Sequence, residues 1–239
     1  MINFEATANV GMEAVLKREI QALGLEDIRV VDGLVSMSGK MEDMTRLNLH
    51  LRTAERVHWV LKRFRATTFT ELFDGVYDLP WPDIMPKTAN FITEAKSKKS
   101  TLFSLSDIQR ISEKAIVNKM QTRYKTEWFQ KNGARYRIGI RIVEDIATVY
   151  IDTSGDGLHD RGYRQRSVKA PLTETLASGL VQLSFWNKNR MLVDPFCGSG
   201  TILIEAIMLA RNIAPGLNRR FDFEYWNMES AQAKDMRKK

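Results

Sequence analysis

The apolar positions of the chain change period several times, and each change marks an element. Residues 2–8 read as a short strand. Met12, Val15, Leu16, Ile20 and Leu23 then recur at helical spacing, with Asn9 placed to cap the helix and Gly24 to stop it. IRVVDGLVSMSG reads as two strands around Asp32-Gly33, a pair that suits a tight hairpin turn. MEDMTRLNLHL predicts a second helix with Met44, Leu47 and Leu51 inward, and ERVHWVLKRF is dense enough in β-branched and aromatic residues to predict a strand. Strand, helix, two strands, helix, strand is the split βαβ order of a ferredoxin-like domain, here 1–64.

A second α/β unit is expected at 65–155. TFTELFDGVYDL predicts a short helix, Trp81-Pro82 and Pro86 interrupt regular structure, and ANFITEAKS alternates like a strand. Ser106 and Gln109 suggest a capping box for a helix carrying Ile108, Ile111, Ala115 and Met120. In RYRIGIRIV, Tyr136, Ile138, Ile140 and Ile142 share one face and Arg135, Arg137 and Arg141 the other. Glu144-Asp145 turns this strand into IATVYID. A third unit, 156–239, opens with a polar glycine-bearing stretch. Pro171 suits the first position of a helix with Leu172, Leu176, Leu180 and Leu183 on one face. NRMLVD predicts a short buried strand, TILIEAIMLARN a helix ended by Pro215-Gly216, and the last residues a charged helical tail. The fold class is therefore α+β followed by α/β.

Charge changes the picture. The net charge is +7, yet residues 87–137 hold 12 Lys or Arg against four acids, which leaves about −1 for the rest of the chain. A local field of this size suits a polyanion such as RNA, although a solvated lysine face has the same composition. Lys96, Lys98, Lys99, Arg110 and Lys114 are the expected phosphate contacts. Arg161, Arg164, Arg166 and Lys169 around Gly162 form a second basic stretch able to guide RNA. Phe91, Phe103, Tyr124, Trp128, Phe129 and Tyr136 are interleaved with the first stretch; bases stack on exposed aromatics, but alternation makes several of these core candidates. Cys197 is the one cysteine, no apolar run approaches a membrane span, and the start lacks the apolar block of a signal peptide. These features point to the cytoplasm. No metal site is expected.

The chemistry concentrates in DPFCGSGT, 194–201, between MLV and ILIEAIMLA. Strand, glycine turn, apolar helix is the geometry of a nucleotide turn: the glycines let a ligand approach the backbone, and the first amides of the helix face an anionic group. A nucleoside triphosphate calls for GxxxxGK[ST], and no lysine is present; a dinucleotide calls for a third glycine where Leu203 stands. S-adenosylmethionine fits the charges better, with Asp194 toward its amino group and the amides of 198–200 toward its carboxylate. The competing reading has Asp194 cap the helix while the glycines only make a tight turn.

Four segments together resemble the THUMP-domain class I RNA methyltransferases, in particular those similar to bacterial 23S rRNA guanine-N2 methyltransferases. These are LNLHLRTAERVHWVLKRF, KSKKSTLFSLSDIQRISEKAIVNKM, HDRGYRQRSVKAPLTETLASGL and DPFCGSGTILIEAIMLARNIAPGLNRRFDFEYW. The resemblance implies a ferredoxin-like domain, a THUMP domain holding structured RNA, with rRNA ahead of tRNA, and the first part of a Rossmann-like domain using S-adenosylmethionine. It assigns Asp194, Pro195, Cys197, Gly198, Ser199, Gly200, Thr201 and Glu205 to the cofactor turn, and Pro171, Leu172 and Thr173 to the segment flanking it. Asp-Pro-Pro or Asn-Pro-Pro, which accepts hydrogen bonds from the target amine in similar enzymes, occurs nowhere in the chain, whose prolines are 80, 82, 86, 171, 195 and 215. The catalytic residues are thus unassigned. The chain is expected to stop after the first βα unit of the catalytic domain and to be inactive alone. Rival readings are a stand-alone RNA-binding protein and a tRNA or DNA amino-methyltransferase. Oligomeric state is left open.

Overall fold

The computed structural model describes residues 1–164 and 172–226. Its elements are β1 (Ile2–Ala8), α1 (Glu13–Ala22), β2 (Glu26–Val31), β3 (Leu34–Gly39), α2 (Asp43–His50), β4 (Ala54–Arg65), α3 (Phe69–Tyr77), α4 (Trp81–Ile84), β5 (Asn90–Lys98), α5 (Leu105–Tyr124), β6 (Arg135–Val143), β7 (Ile146–Asp152), α6 (Glu174–Leu183) and α7 (Thr201–Ala210), then a 3₁₀ turn at Asp222–Tyr225. Among the described residues no helix is long and apolar enough to cross a membrane, and no cluster of three metal-ligating side chains occurs.

Two compact units form, and the first is discontinuous: Met1–Val57 folds with Thr153–Glu224. Its strands run in the order β2-β3-β1-β4, with β1 and β2 both antiparallel to β3, which is the ferredoxin-like order. Phe4, Ala6, Val15, Leu16, Ile20, Val35 and Leu47 are fully buried and make its core. The C-terminal segment is knitted in by polar contacts. Asn48 Nδ2 donates to Thr153 Oγ1 at 2.8 Å, Ser154 Oγ donates to Asn48 Oδ1 at 2.7 Å, and the amide of Gly216 donates to the Leu49 carbonyl at 3.0 Å.

The second unit, His58–Asp152 with Tyr225 and Trp226, has the order β4-β7-β6-β5, in which only β5 and β6 are parallel. Tyr136, Ile138, Ile140 and Ile142 are buried as their alternation requires, and α5 packs on the same side as α3 and α4. Trp226 stacks on Tyr136 with ring centroids 4.7 Å apart and donates Nε1–H to the Arg135 carbonyl.

Several local expectations are corrected. No strand forms at 190–194; Met191 is 90% exposed and Val193 71%. A strand needs a neighbouring ladder for its N–H and C=O groups, and none lies beside this stretch among the described residues. Asn9 does not cap α1: Met12 holds that position, while the Asn9 amide donates to Glu55 Oε1 at 2.9 Å. The cap of α5 is Ser104, two residues before the expected Ser106, and its hydroxyl is spent on Asp107. Trp81-Pro82 does not break structure but opens α4, since proline is tolerated in a first helical turn.

α6 begins at Glu174, after the expected Pro171, and buries the opposite face from the one expected. Ala177, Ser178, Gly179 and Val181 are covered, whereas Leu180 and Leu183 are exposed. Small residues let α6 approach α1, where the Met12 sulfur lies against Gly179. α7 stops at Ala210, before Pro215-Gly216. Asn212 takes a left-handed φ of 52°, and the amide of Ile213 returns to the Met208 carbonyl at 2.8 Å.

Candidate nucleic-acid face and cofactor turn

In the second unit, strand register builds a row of cations that no single segment encodes. Arg63 pairs with Thr148, Thr148 with Arg141, and Arg141 with Lys96. Directly paired residues point to the same side of a sheet. Arg63, Arg141 and Lys96 therefore stand in one line across four strands. The next line on that side runs Arg65, Ile146, Val143, Lys98. This is the side away from the helices, because Phe64, the neighbour of Arg63, lies against Gly75 of α3.

The five expected phosphate contacts are thereby divided. Lys96 and Lys98 belong to the sheet side. Lys99 follows β5 with φ 50°, at the turn toward α5. Arg110 and Lys114 are exposed on α5, which covers the other side, and Arg110 is already paired with Asp107 at 2.8 Å. Sequence reading missed Arg63, Arg65 and Arg141 as a group. Their alignment depends on pairing between segments about 80 residues apart in the chain, which local pattern does not carry.

The glycine turn lies in the first unit. Gly198 and Gly200 have φ of 54° and 74°, in the left-handed region, and Gly200 is the N-cap of α7 with no side chain capping it. The first amides of α7 are thus left to a ligand or to water. A Cβ added at either glycine would meet nothing within 4 Å, so the backbone is open to close approach. The amide of Gly200 donates to the Cys197 carbonyl at 2.7 Å, and Asp194 Oδ1 accepts from the Phe196 amide at 3.2 Å, a local turn rather than a helix cap. Pro195 and Cys197 are exposed, and Ser199 and Thr201 share a hydroxyl–hydroxyl hydrogen bond of 3.0 Å. These residues fit the amino-acid portion of a zwitterionic ligand: a carboxylate acceptor on one side, free amides on the other.

Beneath the turn is a buried charged network. Arg161 Nε lies 3.5 Å from Glu205 Oε1, with both side chains essentially inaccessible, and Tyr163 donates its hydroxyl to the same oxygen at 3.1 Å. Burial pushes the Glu205 carboxyl above its ordinary range, opposed chiefly by Arg161. Burial lowers the Arg52 guanidinium in turn, against the pull of Glu205 and Glu19. Glu205 thus faces inward, one turn below Thr201, and anchors α7.

Arg161 is corrected as an RNA contact. It is 2% exposed and donates Nη1 to the Leu158 carbonyl at 2.5 Å, because it closes this network. Arg164 is also engaged, with Nη2 3.0 Å from Glu174 and 2.9 Å from the Leu172 carbonyl, and it reaches Thr201 Oγ1 at 3.4 Å. Arg164 and Leu172 are thereby tied to the turn, and Thr173 is the N-cap of α6. Arg166, Lys169 and Pro171 lie outside the described residues.

Comparison with known proteins bears on both sites. Residues 3–58 match the RlmL ferredoxin-like domain, 66–152 the THUMP domain, and 161–239 the RMKL-like methyltransferase domain. The chain is 46% identical over 223 residues to YpsC of Bacillus subtilis, a candidate RNA methyltransferase, covering 92% of this chain and 58% of YpsC. It is 31% identical over 225 residues to the ribosomal RNA large subunit methyltransferase K/L of Buchnera aphidicola, covering 92% of this chain and 32% of that enzyme. Among solved structures, one from Listeria monocytogenes, described as a predicted N6-adenine-specific DNA methylase, superposes with a TM-score of 0.94 at 44% identity; this chain spans 99% of itself and 63% of that chain. SMU.472, a candidate methyltransferase complexed with SAH, gives a TM-score of 0.93 at 42% identity over the same shares. The chain thus spans about three fifths of the length of YpsC and of these two structures.

Proposed function

We propose that the chain belongs to the THUMP-domain RNA methyltransferases and is the RNA-holding and cofactor-turn portion of an S-adenosylmethionine-dependent enzyme acting on an exocyclic base amine of large-subunit rRNA, with guanine N2 as the amine. The observation that carries the RNA half is the line Arg63, Arg141, Lys96 across the second unit. Cations a strand spacing apart on one surface match a phosphate backbone, whose contacts position RNA without reading sequence. The name of the Listeria structure suggests adenine N6 in DNA as a second reading. The THUMP match at 66–152 favours RNA.

The turn at 194–201 supplies contacts for the cofactor's amino-acid tail: Asp194 for the amino group, the amides at the start of α7 for the carboxylate. When bound, S-adenosylmethionine supplies an electrophilic methyl on its sulfonium. Glu205, Arg161 and Tyr163 hold α7 in place beneath the turn, and Arg164 fixes Thr201 from the preceding segment. These residues bind and orient.

The test compares two charge reversals in the 239-residue protein. Lys96→Glu with Lys98→Glu is expected to weaken binding to structured rRNA fragments and to lower the slope of log K against log salt by about 2, roughly one per lysine removed. Arg110→Glu with Lys114→Glu, on the helix side, is expected to have the smaller effect. Fluorescence anisotropy over a salt series reads both, and equal affinities for the Lys96/Lys98 variant and the parent would sink the assignment.

A further inference from the structure

A second feature of the THUMP unit is a cleft whose lining includes none of the cations of the sheet rows. The cleft, of about 220 Å³, is lined by Lys87, Thr88, Tyr124, Thr126, Trp128 and Gln130. This is smaller than the roughly 300–1,000 Å³ of drug-sized sites, so it suits one flat ring system. Trp128 is 79% exposed, an unusual state for the largest apolar side chain.

The surroundings hold the cleft in shape. Tyr124 anchors its wall by donating to the carbonyls of Pro82 and Met85, both at 3.2 Å. Thr126 Oγ1 donates to the Trp128 carbonyl at 2.9 Å and accepts from the Trp128 amide at 3.4 Å, which fixes the loop that presents the indole. α5 ends at Lys125 in a left-handed conformation, φ 46°, so the chain turns sharply into that loop. The amide of Gly133 donates to the Thr88 carbonyl at 2.7 Å and ties that part of the lining to the segment leading into β6.

The chemistry is that of a single unpaired nucleotide. An indole face takes any base by stacking. Gln130 and Thr88 supply donors and acceptors for a base edge. Lys87 supplies the one charge in the cleft, a cation for the adjoining phosphate. An apolar ligand would make no use of Lys87, and the interior of a paired duplex cannot offer a base face to Trp128.

We propose that this cleft captures one unpaired base of the bound RNA by stacking on Trp128, with its phosphate on Lys87. The inference rests on the reading of the THUMP unit as RNA-binding and adds a preference for single-stranded RNA. Two labelled probes test it on the 239-residue protein: a mixed-sequence single-stranded oligoribonucleotide and a long RNA duplex, in which all but the terminal pairs are closed to stacking. Trp128→Ala is expected to weaken single-strand binding about tenfold and leave duplex binding unchanged; Trp128→Phe, which keeps a ring, retains most of the affinity, and Lys87→Ala falls between. Trp128 is exposed, so the fold is not at stake; a circular dichroism melt checks it. Unselective loss, or none, on Trp128→Ala overturns the proposal. Failure of the parent protein to bind either probe overturns the RNA reading as a whole, whereas a Lys96→Glu, Lys98→Glu loss with an unaffected Trp128→Ala overturns the cleft alone.

Discussion

Glu19 shows how single residues join distant stretches of the first unit. Its carboxylate accepts from the amides of Arg52 and Thr53 at 2.8 and 3.2 Å and from Gln182 of α6. Burial nonetheless raises its pKa above the ordinary 4.5, with those hydrogen bonds opposing the shift. A carboxyl raised on folding contributes stability that is complete below the unfolded value and is lost as pH rises through the folded one. Glu19→Gln keeps an acceptor and removes the titration. The urea midpoint of the parent is therefore expected to fall relative to Glu19→Gln between pH 4 and pH 7, and parallel pH curves would contradict this. The carboxyls held low by hydrogen bonds, Glu13 and Glu71, are the same in both proteins and cancel in the difference.

At the level of elements, β6 and β7 meet at a steric lock. A Cβ at Gly139 would lie 2.1 Å from Tyr150 Cζ, and Tyr150 is stacked on His58 with centroids 4.1 Å apart, so the ring has little room to yield. Gly139→Ala is expected to cost about 1–3 kcal/mol, a fall in melting temperature of several degrees in calorimetry, restored in part by adding Tyr150→Leu. The strands of this unit were legible in the sequence because each has its partner nearby in the sheet: RYRIGIRIV alternates, and the turn at Glu144-Asp145, with φ of 50° and 63°, closes the hairpin expected there. NRMLVD, with its apolar Met191, Leu192 and Val193, makes no strand, since a strand is a property of a pair and composition reports only one member. The burial of α6 was misread for a related reason. Its leucines form a face by periodicity, but what α1 accepts is the small side chains opposite. At the candidate site, the glycine turn was legible because positive φ selects glycine. The cation row and the Arg161–Glu205 pair were not, since both arise from register and packing between remote segments.

For the whole molecule, the turn at 194–201 stands on irregular, exposed chain, with Phe196 93% exposed. Fixing Asp194 and the α7 amides around a ligand must then order that chain on binding, at a cost of order 1–2 kcal/mol per residue. The 239-residue protein is expected to bind S-adenosylmethionine no more tightly than about 1 mM by calorimetry, because ordering the turn offsets part of the contact energy. A Kd near 10 μM would show that the turn is ordered without help. The split of the first unit into 1–57 and 153–224 has a further consequence, for the order of events during synthesis. As the polypeptide leaves the ribosome, Glu19, Asn48 and Arg52 emerge without Gln182, Thr153 or Ile213, and at about 5–20 residues per second roughly 5–20 s pass while the intervening 58–152 is made. The nascent N-terminal fold carries buried polar groups whose partners do not yet exist, so the THUMP unit, continuous in sequence apart from Tyr225 and Trp226, is the part free to mature first.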